Sequence, residues 1–521
     1  MTHSKDIRMN LEHFASAAGL IVALAACAAS IDPPTAHAAP SSPAWPAPWQ
    51  DVPEAAPGDF TPPRFEPPSA SHCHRAPTTR EVPGGGREPQ DSSWRLREEH
   101  SAAGAEMRRE MRPGAPAGDA STAIQRSAKS ASPSAHDKTA PGAAPSTQAL
   151  REFAPTPWPQ PQPQPQRQSS PAVTAGVVDD NADFGEYLAY RQRNAGQPVR
   201  ERDISERYLL EVTDADGRPV HDAEVAVQRP GVTEPVMWAR TDTAGRVWLH
   251  PRAFIAPSFD NADRVLGVAV RKGATQARAT LLRGQSQALQ VRLGAGGLGS
   301  VKQRPRLDLV FMVDATGSMG DEINKLKASM RAMSDQIAQL PGQPDICYGL
   351  VAYRDRGDAF ITRTHDLSND LGAFQNLLSR VQAQGGGDTP EALNEALHEV
   401  VHGLSWRVDA ARLVVLVADA PPHLDYGGPQ YDTDMQAALA KGIKLFAVGA
   451  SGLDPVGEYI FRQLAQYTAG RFVFLTYKNA ADASSGTGTQ TVHDVKNYSV
   501  QTLDRLVVRL VSEEMARLAR L

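Results

Sequence analysis

From residue 307 onward the chain alternates short, nearly uninterrupted apolar runs with longer amphipathic stretches, and no other feature restricts the fold as much. Leu307–Val313, Ile346–Tyr353, Leu413–Ala418, Ile443–Val448 and Arg471–Leu475 are runs of strand length. Asp321–Leu340, Asn369–Ala383, Pro390–Leu404, Asp434–Lys441, Pro455–Thr468 and Thr502–Ala519 carry apolar residues at helical spacing. A strand apolar on both faces must be covered on both, which implies parallel strands with helices on either side. The pattern predicts an α/β fold over residues 305–521, an open, doubly wound, mostly parallel sheet. Ligands of such sheets bind beyond the carboxyl ends of the strands.

The chain upstream has a different character. Of its 41 prolines, 27 lie between Cys27 and Asp180, and Pro157–Gln166 alternates Pro with Gln almost throughout. Such sequence buries too little apolar area to offset chain entropy, so residues 28–180 read as a disordered tether. A flexible chain of that length reaches on the order of 70 Å. Lys+Arg 54 against Asp+Glu 59 gives a net charge of −5, with no basic stripe for a phosphate backbone, so nucleic acid is excluded as the main partner. Three cysteines do not make a disulfide scaffold. His72-Cys73-His74 has metal-ligand chemistry but no second cluster to complete it, and Cys347, inside an apolar run, reads as a core residue rather than a nucleophile.

At the start of the chain, Lys5 and Arg8 precede a 13-residue apolar segment, Phe14–Ala26, too short to span a bilayer. It ends in Leu24-Ala25-Ala26-Cys27, which resembles the bacterial lipobox, so residues 1–27 read as a lipoprotein-type signal. The resemblance implies acylation of Cys27, a membrane anchor and, with Ala28 following, outer-membrane sorting towards the periplasm or the cell surface. Ala36-His37-Ala38 offers a rival cut that would give a secreted chain.

Between the tether and the α/β region, residues 181–295 combine a helical lead-in with short, partly alternating runs separated by Asp-Gly and Lys-Gly turns, the pattern of an antiparallel β-sandwich. Val212–Val227 (VTDADGRPVHDAEVAV) and the later Thr241-Asp242-Thr243-Ala244-Gly245-Arg246 resemble the transthyretin-like or carboxypeptidase-regulatory-like sandwich. Gly294–Arg304 reads as a Gly-rich hinge.

Three loops at predicted strand ends carry oxygen-bearing side chains. Asp314, Thr316 and Ser318 follow the first strand, Asp388 and Thr389 precede a helix, and Asp419 ends the run Leu413–Ala418. Hard oxygen donors of low total charge suit Mg²⁺ or Mn²⁺ better than zinc or copper. In its order Asp-x-Thr-x-Ser, then Thr, then Asp, the set resembles the von Willebrand factor A domain with a metal-ion-dependent adhesion site, Thr316 standing for the usual first Ser. The resemblance implies Asp314, Thr316, Ser318, Thr389 and Asp419 as ligands of Mg²⁺, Mn²⁺ or Ca²⁺, and a non-catalytic role. The metal would accept an Asp or Glu side chain from a partner protein. Asp388 reads as a second-sphere group or as a helix N-cap.

His398-Glu399-Val400-Val401-His402 is a rival, the His-Glu-x-x-His pattern of zinc peptidases. The apolar stripe of its predicted helix puts both histidines on the solvent side, away from any cleft. A zinc peptidase and a structural scaffold of an envelope assembly are the alternatives to adhesion-type binding.

Overall fold

The structure, a computed structural model, describes residues 73, 76–86, 172–229, 235–254, 264–285, 287–294, 304–387 and 389–518. Cys27, Asp388, His72, His74, the signal segment and most of the stretch read as tether lie outside the described residues. Two strands lie inside that stretch, β1 (Thr79–Pro83) and β2 (Thr174–Val178). Next come helix α1 (Phe184–Arg193) and strands β3 (Tyr208–Thr213), β4 (Glu224–Gln228), β5 (Pro235–Arg240), β6 (Arg246–Leu249), β7 (Val265–Lys272), β8 (Thr275–Leu282) and β9 (Leu289–Arg292). The α/β region supplies β10 (Arg306–Asp314), α2 (Ile323–Ile337), β11 (Asp345–Tyr353), β12 (Phe360–Ser368), α3 (Leu371–Arg380) and α4 (Leu393–His398). It continues with β13 (Ala410–Ala418), α5 (Tyr431–Ala440), β14 (Ile443–Gly449), α6 (Pro455–Tyr467), β15 (Arg471–Asn479), β16 (Asp482–Thr487), β17 (Val500–Thr502) and α7 (Leu503–Leu518). No helix among the described residues is long and apolar enough to cross a membrane.

The main sheet runs β1-β12-β11-β10-β13-β14-β15-β2-β17, with parallel pairing from β11 through β15 and antiparallel strands at both edges. Successive residues of the central strands enter opposite cores. Val310, Met312, Val414 and Leu416 pack with α4, α5 and α6, while Phe311, Val313, Val415 and Val417 pack with α2, α3 and α7. This two-sided burial is what the uninterrupted apolar runs anticipate.

The tether boundary needs correction, because β1 pairs with β12 and β2 pairs with both β15 and β17. A disulfide, Cys73–Cys347, ties the start of the β1 segment to β11. The region 208–292 forms two small sheets, β6-β3-β9 and β5-β4-β7-β8. Their buried residues belong to the same core as α4, α5 and α6, so this region packs directly onto one face of the α/β layer.

His250 sits in that shared core, fully buried and stacked on Tyr467 of α6 at 5.0 Å between ring centroids. Burial, with the charges of Arg207 and Arg191, pushes its pKa down to about 3. The unfolded chain therefore binds a proton that the folded chain refuses between about pH 3 and 6.5. The stabilisation from neutral His250 is complete above pH 6.5 and is lost as pH falls towards 3. At pH 5 the loss is about 2 kcal/mol relative to pH 7. His250→Phe should remove that increment, read as a smaller pH 7-to-5 drop in unfolding free energy; an unchanged drop would refute it.

Candidate metal site at the sheet edge

In register, Val313 of β10 faces Val417 of β13, so Asp314 and Asp419 end neighbouring parallel strands. The chain turns sharply after each. Asp314 Oδ1 accepts hydrogen bonds from the Thr316 amide at 2.9 Å and the Thr316 hydroxyl at 2.6 Å. Thr316 Oγ1 lies 3.1 Å from Ser318 Oγ, and Ser318 Oγ donates to Asp419 Oδ1 at 3.1 Å. Four of the five residues read as ligands therefore form one continuous cluster. Asp314 and Thr316 are fully buried, and Ser318 is exposed at the mouth.

The fifth, Thr389, is exposed and makes no hydrogen bond to the other four. Its loop is nevertheless pinned on both sides. The Gly317 amide donates to the Gly385 carbonyl at 2.8 Å, and the Glu391 amide donates to the Pro421 carbonyl at 3.0 Å. Gly317 is needed for this approach, since a Cβ there would lie 2.8 Å from the Gly385 oxygen. Gly385 and Gly386 both have positive φ, and the Gly386 amide donates to Asp358 Oδ2 at 2.8 Å. Asp358 thus fixes the loop that carries Thr389.

The site is strongly acidic. Burial and the nearby Asp419 push the Asp314 pKa up to about 7, and burial raises Asp419 as well. Asp314 Oδ2 is buried without a hydrogen bond. Glu391, which the sequence reading absorbed into a helix, is also buried here, with Oε2 unpartnered. Its Oε1 and Thr316 Cβ both crowd Gly386, at 2.7 and 2.9 Å from where a Cβ would stand. Burial, then Asp314, Asp355, Asp358 and Asp419, push the Glu391 pKa up to about 9. The only hint in sequence was an acid directly after Thr389-Pro390. His423 bridges Asp355 at 3.0 Å and Asp425 at 3.1 Å, closing the rim. An unpaired buried carboxylate oxygen, a second carboxylate and two hydroxyls fit a hard divalent cation, which would relieve the repulsion that burial creates.

The His-Glu-x-x-His segment departs from expectation. His398 and His402 are not on a solvent face: their side chains are only 4% and 14% exposed, and both meet Asp434 of α5. The predicted long helix is instead the short α4 followed by a π-type turn, Glu399–Gly403, and α5 covers the histidine side. Glu399 points elsewhere, accepting from Thr364 Oγ1 of β12 at 3.1 Å. A peptidase needs its base beside the histidine-bound metal, and Glu399 is turned to the sheet instead.

Residues 308–483 match the family model described as von Willebrand factor type A domain. The alpha-protein kinase vwkA of Dictyostelium discoideum is 31% identical over 119 residues, 22% of this chain and 19% of that protein. The von Willebrand factor A domain-containing protein 7 of Rattus norvegicus is 36% identical over 110 residues, 21% of this chain and 12% of its own length. Integrin beta-6 of Ovis aries is 23% identical over 246 residues, 41% of this chain and 30% of the integrin. These matches span less than a third of each relative, so the likeness is one of a shared domain. With its parallel central strands and flanking helices, the segment 308–483 is a von Willebrand factor type A domain.

Proposed function

We propose that this chain is a divalent-cation-dependent protein-binding module displayed at a bacterial envelope. One observation carries the reading: Asp314, Thr316, Ser318 and Asp419 converge in one hydrogen-bonded cluster of oxygen donors, and the second carboxylate oxygen of Asp314, Oδ2, is buried outside those bonds. With Thr389 on the pinned loop, these residues would hold Mg²⁺, or Mn²⁺ or Ca²⁺ in its place. When bound, the cation supplies an electrophilic position for an Asp or Glu side chain of a partner protein. The chain's own part is to orient the donors, bury the first carboxylate and leave Ser318 and Thr389 at the open side. The likeness to integrin beta-6 supports an interaction role over a catalytic one. Envelope display rests on the lipobox-like Leu24–Cys27 and a tether from Cys27, and the disulfide Cys73–Cys347 suits an oxidising compartment.

Calorimetric titration of the chain with Mg²⁺ and Mn²⁺ tests this reading. One site is expected in the wild type, with affinity reduced tenfold or more by Asp314→Ala. In chelator the same substitution removes the buried acceptor of the Thr316 amide and hydroxyl, so the cation titration is read on protein shown to be folded by its unfolding transition. Equal cation binding by wild type and Asp314→Ala would overturn the proposal.

A further inference from the structure

We infer that His398, His402 and Asp434 form a second, structural metal site that takes zinc, distinct from the acidic site at the sheet edge. His398 Nδ1 lies 3.1 and 3.2 Å from the two Asp434 oxygens, and His402 Nε2 lies 3.0 Å from Oδ1. The two imidazole centroids are 4.5 Å apart. Zinc bonds of about 2.0–2.1 Å place tetrahedral ligand atoms roughly 3.3 Å from one another, close to this spacing. Nδ1 approaches both carboxylate oxygens almost equally, an arrangement open to a three-centre hydrogen bond and equally to a metal ion held between ring and carboxylate.

The local fold explains how the set is assembled. His398, the last residue of α4, and His402, in the π-type turn Glu399–Gly403, stand four residues apart, the spacing that puts two side chains on one side of a helix. Asp434, in the first turn of α5, is fully buried and is met there by the two imidazoles, with no Arg or Lys ion pair among the described residues. Buried carboxylates are ordinarily neutralised by a paired cation or a metal. Lys441 Nζ donates to the Val401 carbonyl at 3.0 Å and stands 3.4 Å from His402 Nδ1, so it ties the π-type turn to the end of α5 beside the triad. Two imidazoles and one carboxylate make a zinc set rather than a magnesium one. His402 is the most exposed member, so a fourth, water position opens on its side. With Glu399 turned to β12, the bound metal would clamp the π-type turn to α5 and do no hydrolysis.

The chelator-treated full chain is titrated with Zn²⁺ by calorimetry, and with Co²⁺ by visible absorption. The expected result is one zinc equivalent, the spectrum of four-coordinate cobalt, and a zinc-dependent rise in thermal midpoint. Asp434→Asn and His402→Gln should each lower zinc affinity tenfold or more, while Asp314→Ala and Glu399→Gln leave it unchanged. His402→Gln, at the exposed rim, keeps the test valid should Asp434→Asn fail to fold. Absence of stoichiometric zinc in the wild type, or zinc uptake indifferent to His402→Gln, overturns the assignment in favour of a metal-free hydrogen-bonded triad.

Discussion

Asp222→Asn should destabilise the folded chain by about 3–5 kcal/mol, the cost of leaving a buried cation without its counter-charge. Arg412 of β13 and Asp222, just before β4, are 6% and 2% exposed and form a two-point contact at 2.9 and 3.2 Å. Arg240 adds a bond at 3.1 Å and the Asp409 amide one at 3.0 Å. Burial alone would raise the Asp222 pKa, but Arg412, Arg240 and Lys272 outweigh it and hold the carboxyl well below its usual range. Its contribution is therefore present above the unfolded carboxyl pKa and fades as pH falls below it. Because Asp222 has a φ of 54°, Asn is the cleaner replacement: it tolerates the left-handed backbone and removes only the charge. The double variant Asp222→Asn/Arg412→Met should recover part of the loss, since neither charge is then stranded. The check is denaturant unfolding at pH 7, and a loss below about 1 kcal/mol would show that this ion pair does not latch the small sheets to the α/β layer.

Which features were legible in the sequence follows from how local their causes are. The five central strands announced themselves because burial on both faces removes every polar position but a few. The metal-site residues were legible for a related reason: each stands one to five residues past the end of such a strand or just before a helix. Thr389 alone stays apart from the cluster, on a loop whose position depends on Gly317, Asp358 and Pro421. β1 and β2 were missed because Thr79–Pro83 and Thr174–Val178 sit in proline-rich surroundings and acquire strand character only by pairing with residues about 285 and 300 positions away. β12 carries Thr362, Thr364 and His365 where an apolar strand was sought, and each is buried by neighbours no local window contains. The histidine face was misjudged because a regular 100° turn was assumed across Glu399–Gly403, where the helix is π-type and α5 covers the polar side. Glu391 and Asp434 show the same limit: both are acids whose chemistry comes from what the fold brings against them.

Removing the Cys73–Cys347 bridge should have the second large effect. The bond closes a loop of sequence separation 274, and a disulfide of that kind typically contributes about 2–4 kcal/mol. Both cysteines are fully buried, so the bridge is shielded as well as long-range. It anchors a strap laid along the outer edge of the sheet. The Asn369 amide donates to the Cys73 carbonyl at 2.6 Å, β1 pairs with β12, and Gly86 donates to the Asp358 carbonyl at 2.7 Å. Gly84 and Gly86 are obligatory in that contact, since a Cβ on either would fall 2.4 or 2.1 Å from a backbone oxygen of the 357–358 turn. The same turn offers Asp358 Oδ2 to the Gly386 amide, so the strap backs the loop bearing Thr389. Cys73→Ser/Cys347→Ser should lower the unfolding midpoint and open residues 76–86 to proteolysis. It should also weaken Mg²⁺ binding by a few-fold, less than Asp314→Ala, because the donors stay while their support loosens. Reductant should reproduce the shift in the wild type and add nothing in the double variant. A wild type whose midpoint ignores reductant under conditions that free both thiols would mean that β1 is held by strand pairing alone.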